Sequence, residues 1–314
     1  MAYRLSIADD LPTSVRACAR EQLEGAVRQL ERADEHPVDA VHEARKHLKK
    51  ARALLRLVRP ALGAKAYRRE NDALREAGLA LSGTRDADVR VETAAKLAER
   101  FAGQLPSATF AQLREALAGE AAGGRGDGGT SDLAAVLEAL GAAAARVEQW
   151  PLGSADWDDV LAGVARAYTR GRKAFAAARR EPTAERLHDW RKRAKDLWYH
   201  ERLLTPAWPG VLAAQAEQAH ELTELLGDDH DLAVLAERLR APTPLPPAVE
   251  AERDALLALV AERSTELRAA ATRLGRRVYA ESPKAFSRRL ARYVHTAVEE
   301  RRASAPPEAG GPAG

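Results

Sequence analysis

The sequence predicts an all-α, internally duplicated helical bundle, and three observations carry that expectation. Val41 to Leu57 reads VHEARKHLKKARALLRL and Leu187 to Leu203 reads LHDWRKRAKDLWYHERL, so each has an apolar residue and a histidine followed by Arg-Lys and then by a further Lys at helical spacing. Leu81 to Asp86 reads LSGTRD and Leu226 to Asp231 reads LGDDHD, with Val89 and Val234 after them. The offsets, 146 residues from His42 to His188 and 145 from Leu81 to Leu226, agree to one residue, which makes the chain two copies of one unit. Thirdly, no segment alternates strictly as a half-buried strand does, and alanine, leucine, arginine and glutamate dominate, as they do in helices.

Breakers then divide each copy into roughly six helices. In the first copy, 12–149, helices are predicted near 12–33, 38–59, 64–81, 86–103, 107–121 and 131–149, punctuated by Pro37, Pro60, Gly83 and Pro106. Gly123 to Thr130 reads GGRGDGGT and is expected to be a flexible loop. In the second copy, 156–302, helices are predicted near 158–179, 184–205, 210–226, 231–240, 247–278 and 283–301, separated at Pro182, Pro206 to Pro209, Ala241 to Pro247 and Pro283. Gly83 and Gly227 read as helix stops, and Asp86 and Asp231 as N-caps of the helices that follow. The tail, 303–314, is Pro, Ala and Gly and is expected to be disordered.

The basic segments point to function. At about 100° per residue, His42, Arg45, Lys46, Lys49, Arg52 and Arg56 share about a third of a helix circumference, and His188, Arg191, Lys192, Lys195 and Arg202 repeat the stripe. Val41, Ala44, Leu48, Ala51, Leu55 and Val58 form an apolar arc opposite the first. Leu187, Trp190, Ala194, Leu197 and Leu204 do so for the second, interrupted by Glu201. A solvated helix interleaves acids with its Lys and Arg, because opposite charges at i and i+4 stabilise it and like charges do not. Neither stripe contains an acid, and the pattern recurs, so the stripes read as a polyanion site rather than a solvated face. Arg85 and His230 are placed near the same anion, with Asp86 and Asp231 either capping helices or orienting a neighbouring cation. Arg20 and Arg166 share the 146-residue offset and are candidate rim cations.

Composition bounds the rest. Net charge is only +3 with 30% charged residues, so the cations are placed rather than spread. Cys18 is the only cysteine, which excludes an internal disulfide framework and suits a reducing, cytoplasmic setting. No apolar run is long enough to span a membrane, and Met1 to Leu11 lacks a signal-peptide core. The Asp228-Asp229-His230-Asp231 cluster suggests a metal site, but its counterpart Thr84-Arg85-Asp86 carries an arginine, which does not ligate a divalent cation. No metal or other cofactor is expected.

The two histidine-headed basic helices, each followed some forty residues later by Leu-Gly-x-x-Arg/His-Asp or its variant, resemble the CHAD family, the conserved histidine alpha-helical domain. The resemblance covers nearly the whole chain, from about Pro12 to Arg302. It implies a duplicated bundle whose basic helices line a central cavity or channel that binds inorganic polyphosphate, possible association with polyphosphate granules, and no membrane partner. The family's basic positions fall on His42, Arg45, Lys46, Lys49, Arg52, Arg85, His188, Arg191, Lys192, Lys195, Arg202 and His230. Many relatives also carry an N-terminal CYTH domain with a Glu-x-Glu-x-Lys motif; this chain starts directly at the first bundle and lacks it, so binding without catalysis is expected. In the second copy Trp198, Tyr199 and Glu201 replace Arg52, Ala53 and Leu55, so its basic surface is expected to be shorter.

Two rivals remain. Single-stranded nucleic acid is held by cations plus aromatic platforms; the first stripe has no aromatic, and the second has only Trp198 and Tyr199 at its edge. A metal-dependent polyphosphate or triphosphate hydrolase would want carboxylates clustered around the histidines.

Overall fold

A computed structural model describes residues 3–81, 85–127 and 133–304, with 85–87 and 124–127 described by backbone alone. Among these residues there are twelve α-helices, two short 3-10 turns and no strand. The helices are α1 (Leu11–Leu30), α2 (Pro37–Leu57), α3 (Arg59–Ala80), α4 (Arg85–Arg100), α5 (Ser107–Asp127) and α6 (Leu133–Arg146). They continue with α7 (Trp157–Arg180), α8 (Ala184–Leu204), α9 (Pro209–Arg240), α10 (Pro247–Ala251), α11 (Arg253–Val278) and α12 (Pro283–Ser304).

Local chemistry explains most boundaries. Asp10 caps α1 by accepting from Thr13 N at 3.0 Å, Thr183 caps α8 through Arg186 N, and Asp156 and Asp159 form a reciprocal capping box on α7. Prolines sit in the first turn of α1, α2, α3, α9 and α10, where a missing N–H costs nothing. Gly63, at φ 72°, kinks α3 after one turn, so its regular part starts where the sequence places it.

Four expectations are corrected. Gly227 does not stop a helix: α9 runs unbroken through Leu226 to Asp231, so the predicted 210–226 and 231–240 are one helix and Asp231 is not an N-cap. Asp86 falls within the first turn of α4 rather than before it. The backbone of α5 stays helical to Asp127, into the segment expected to be a loop; the rest of that segment lies outside the described residues, as do Gly83 and the tail from 305. The predicted 247–278 helix is broken at Glu252 into α10 and α11.

The packing follows the same order in both halves. α1 packs on α2 and α6 while α7 packs on α8 and α12; α2 packs on α3 and α8 on α9; α4 packs on α5 and α9 on α11. Two apolar clusters result, and both draw on both halves of the sequence. The larger gathers the apolar arcs of α2 and α8 with α1, α3, α6, α7 and α12, and the smaller joins Leu97, Phe101 and Leu113 of α4 and α5 to Leu235, Leu239 and Leu256 of α9 and α11.

Between the halves the contact is at backbone level. A Cβ on Gly163 of α7 would lie 2.2 Å from the Leu57 carbonyl oxygen of α2, so only glycine allows this crossing. His200 Nε2 lies 3.0 Å from the Ala53 carbonyl, Arg56 Nη2 lies 2.9 Å from Asp196 Oδ1, and Leu5 N donates to Leu203 O at 2.8 Å. Burial holds His200 neutral, its pKa pushed down to about 4, so Nε2–H is the donor to Ala53.

Glu201, which interrupts the apolar arc of α8, is 1% exposed. Gln215 Nε2 donates to its Oε1 at 2.6 Å, and Arg289 in turn donates to Gln215 Oε1 at 3.2 Å. Burial outweighs these neighbours and pushes the carboxyl up to about 8.

The two buried groups have opposite linkage. His200 titrates at about 4 folded and 6.5 ordinarily, so the unfolded chain holds the extra proton between those values and stability rises with pH there. Glu201 titrates at about 8 folded and 4.5 ordinarily, so the folded chain holds the extra proton and stability falls as pH rises from 4.5 to 8. Glu201→Gln keeps the bond to Gln215 and removes the second dependence. In urea unfolding it should leave stability unchanged near pH 4 and raise it by on the order of 2–4 kcal/mol at pH 9; equal curves for variant and wild type at both ends would show that Glu201 carries no penalty.

Candidate functional site

The apolar arcs of α2 and α8 are committed to the larger core, which leaves their basic arcs to face outward. A cavity of about 560 Å³ opens there between α2, α4, α8 and α9. From α2 it receives His42, Glu43, Lys46, Lys49 and Lys50, and from α8 Arg191, Lys195, Trp198, Tyr199 and Arg202. Residues of both basic stripes therefore line one space. Two smaller hollows adjoin it. One of about 230 Å³ shares His42, Val89 and Glu92 and adds Arg45, and one of about 130 Å³ shares Thr93, Lys96 and Asp228 and adds Arg100 and Arg263. Together they form a trough along α4.

The cavity is less purely basic than the stripes. Its seven lysines and arginines meet five carboxylates, Glu43, Glu92, Glu224, Asp228 and Asp231, leaving a surplus of two positive charges before the histidines. Glu43 lies 2.6 Å from Lys46 Nζ and 3.9 Å from His42 Nε2. Lys96 reaches Glu92 at 3.0 Å and Asp228 at 3.4 Å. None of these acids lies on the stripes: Glu43 flanks the first, three residues before Lys46, and the others arrive on α4 and α9.

The structure brings together His42, Lys46, Lys49, Arg191, Lys195, Arg202 and Asp231. It places the other expected residues elsewhere, each for a visible reason. Arg45 turns into the adjoining hollow, where its Nη1 donates to the Leu81 carbonyl at 2.9 Å and so satisfies an end of α3. Arg52 donates to Asn71 Oδ1 at 3.2 Å and Arg56 pairs with Asp196, both beyond the cavity wall. Arg20 is ion-paired with Glu148, and Arg166 is exposed on α7; neither α1 nor α7 lines the cavity. Lys192 is exposed outside the cavity lining. The Arg85 and Asp86 side chains lie outside the described residues.

His188 and His230 form a pair apart from the cavity, with ring centroids 4.9 Å apart and Nδ1 of His188 buried without a hydrogen-bond partner. Burial, then Lys192, His230 and Arg191, hold the His188 imidazole below its ordinary value of 6.5.

Sequence reasoning missed Lys50 and Lys96. Lys50 is half-buried, and its pKa is lowered by burial and then by Arg202 of the other half. Lys96 reads in sequence as an ordinary i, i+4 partner of Glu92, and only the fold turns it inward. Asp231, raised by burial, sits in the field of Arg191. Trp198 is half-buried in the cavity wall: Tyr199 stacks at 4.5 Å, His220 lies at 4.1 Å and the Arg202 guanidinium at 5.4 Å from its ring centroid.

Gly227 earns its place in the middle of α9 by proximity. A Cβ there would lie 3.0 Å from Arg191 Nη2, so the bare backbone lets the guanidinium lie flat against the helix. Gly227→Ala should raise stability by up to about 1 kcal/mol through helix propensity while pushing the Arg191 head off its position. The two effects are read separately, by the urea midpoint and by the Arg191 Nε–Hε NMR resonance; an unmoved resonance would show that the close approach does not hold the guanidinium.

Among curated proteins and solved structures none matches the chain. A family model for the CHAD domain matches residues 17–240, which include α2, α4, α8 and α9 and hence every helix that lines the cavity. On that match, which spans well over half of its length, the chain belongs to the CHAD domain family.

Proposed function

We propose that this protein binds inorganic polyphosphate in the cavity between α2, α4, α8 and α9, without hydrolysing it. CHAD domains are associated with polyphosphate. The observation that carries the reading is the convergence of Lys46, Lys49 and Lys50 with Arg191, Lys195 and Arg202 on one trough, where like charges repel. A linear polymer with about one charge per phosphate relieves that repulsion along its whole length, with Arg forking onto two oxygens and Lys acting as point charges. The reading extends to association with polyphosphate granules in the cytoplasm. No helix among the described residues is long and apolar enough to cross a membrane.

Nucleic acid is the weaker occupant. Its bases need accessible aromatic faces in succession, and apart from its histidines the cavity offers only the half-buried Trp198 and the buried Tyr199. For hydrolysis, a phosphoanhydride needs a positioned water and a charge-stabilising centre. Among the described residues no three His, Cys, Asp or Glu side chains are grouped to hold a metal ion.

A shared cavity makes the two halves interdependent. Lys49→Glu alone and Lys195→Glu alone should each weaken binding of long-chain polyphosphate about tenfold or more, since a charge-assisted contact is worth roughly 1.5–3 kcal/mol and the new carboxylate repels. Log affinity should fall linearly with log salt at a slope of about 0.7–0.9 per phosphate contact, and Glu43→Gln, which frees Lys46, should tighten binding. Wild-type affinity in the Lys49→Glu variant, with circular dichroism unchanged, would refute the shared cavity.

The absence of turnover is tested directly. Incubation of the pure protein with polyphosphate, with and without magnesium or manganese, should leave chain length on gels unchanged; orthophosphate release that disappears in His42→Ala would overturn the non-catalytic reading.

A further inference from the structure

We propose that a second cleft, between α7 and the C-terminal end of α11, is a separate binding site for a phosphate polymer, so that one chain can hold two polymers at once. The cleft has a volume of about 540 Å³, close to that of the main cavity, and shares no lining residue with it. Arg172 and Arg179, two turns apart on one face of α7, line one wall with Lys173, and Arg276 in the last turn of α11 faces them.

Unlike the main cavity, it has no acids among its cations. No carboxylate lines the cleft, and among the described residues none of these four exposed cations has a carboxylate within ion-pair reach. Four exposed cations that converge on one hollow with no acid among its lining residues leave a concentrated positive field. The last turn of α11 and the start of α12 at Pro283 meet there, and the C-terminal carbonyls of α11 are what Arg276 and Arg277 offset.

The floor identifies the ligand class. Phe175 and Tyr279 form it, but they are 6% and 4% exposed and stack on each other at 5.7 Å, so they offer no open face to a base or sugar. Cations without acids over a closed apolar floor fit an anion whose charge lies along its backbone and which carries no rings. That ligand class rests on the polyphosphate reading of the main cavity; the site itself does not.

The two sites face different ways. Phe175 packs against Trp190, on the apolar arc of α8, at 4.9 Å, whereas Arg191 and Lys195 on the basic arc face the main cavity. A single helix layer therefore separates two anion sites, and long polymers bound on opposite sides would be cross-linked.

Calorimetry with short-chain polyphosphate should give two equivalents for the wild-type protein. It should give one for Arg172→Glu/Lys173→Glu/Arg179→Glu and one for Lys49→Glu/Lys195→Glu, each checked by circular dichroism. Long-chain polyphosphate should raise light scattering with the wild type and with neither variant. A single equivalent in the wild type, unchanged by the α7 substitutions, would overturn the second site and leave the main cavity standing. Loss of one equivalent in the α7 variant, with none lost in Lys49→Glu/Lys195→Glu, would support the second site and overturn the cavity. Displacement from the α7 cleft by oligothymidylate at lower concentration than by polyphosphate would overturn the ligand class.

Discussion

Two like-charged helices are held side by side around one space, and the rest of the fold answers to that constraint. α2 and α8 each bring a row of cations to the same cavity, where like charges repel. The attraction that offsets this repulsion lies on the other arc of each helix. Leu48, Leu54, Leu55, Trp190, Ala194 and Leu197 are buried in one apolar cluster, and burial of each leucine stabilises by roughly 1.5–3 kcal/mol. Directional contacts then fix the angle between the halves: Arg56 to Asp196, His200 to the Ala53 carbonyl, and the backbone approach that Gly163 allows over Leu57.

The carboxylates in the cavity belong to the same balance. Five acids among seven cations lower the cost of folding an empty basic pocket, because Glu43 and Lys46 or Glu92 and Lys96 satisfy each other when no anion is present. These pairs are partly exposed, so each is worth little in water and yields readily to a multivalent anion. Affinity for a short anion is correspondingly moderated. On the proposed reading, a long polymer would gain from many weak exchanges along the trough.

The sequence made the helical class, the two basic stripes and their common offset legible, because a period near 3.6 and a repeat of 146 residues are properties of the chain itself. What it hid depends on partners distant in sequence. Gly227 reads as a helix stop, yet it serves the Arg191 guanidinium from the middle of α9. Arg45, Arg52 and Arg56 share the stripe with Lys46 and Lys49, but Leu81, Asn71 and Asp196 draw them away, and none of those partners is on α2. Lys96 and Asp228 line the cavity because α4 packs against α9, a contact between helices more than a hundred residues apart. The stripe thus located the wall of the site and not its occupants one by one.

The difference between the two copies gives the trough a direction. Where α2 has Arg52, Ala53 and Leu55, α8 has Trp198, Tyr199 and Glu201. Glu201 is turned inward and buried beside Gln215, while Trp198 and Tyr199 join His220 and Arg202 in a packed aromatic wall. Both adjoining hollows meet the cavity elsewhere, one through His42, Val89 and Glu92 and the other through Thr93, Lys96 and Asp228, so neither continues past that wall. On the proposed reading, a polymer in the trough would follow α4 with these rings along one side. Substitution of a basic position by tryptophan in one copy alone therefore does more than shorten a cationic surface: it converts a symmetric pair of stripes into a site with one blocked side and two open ends.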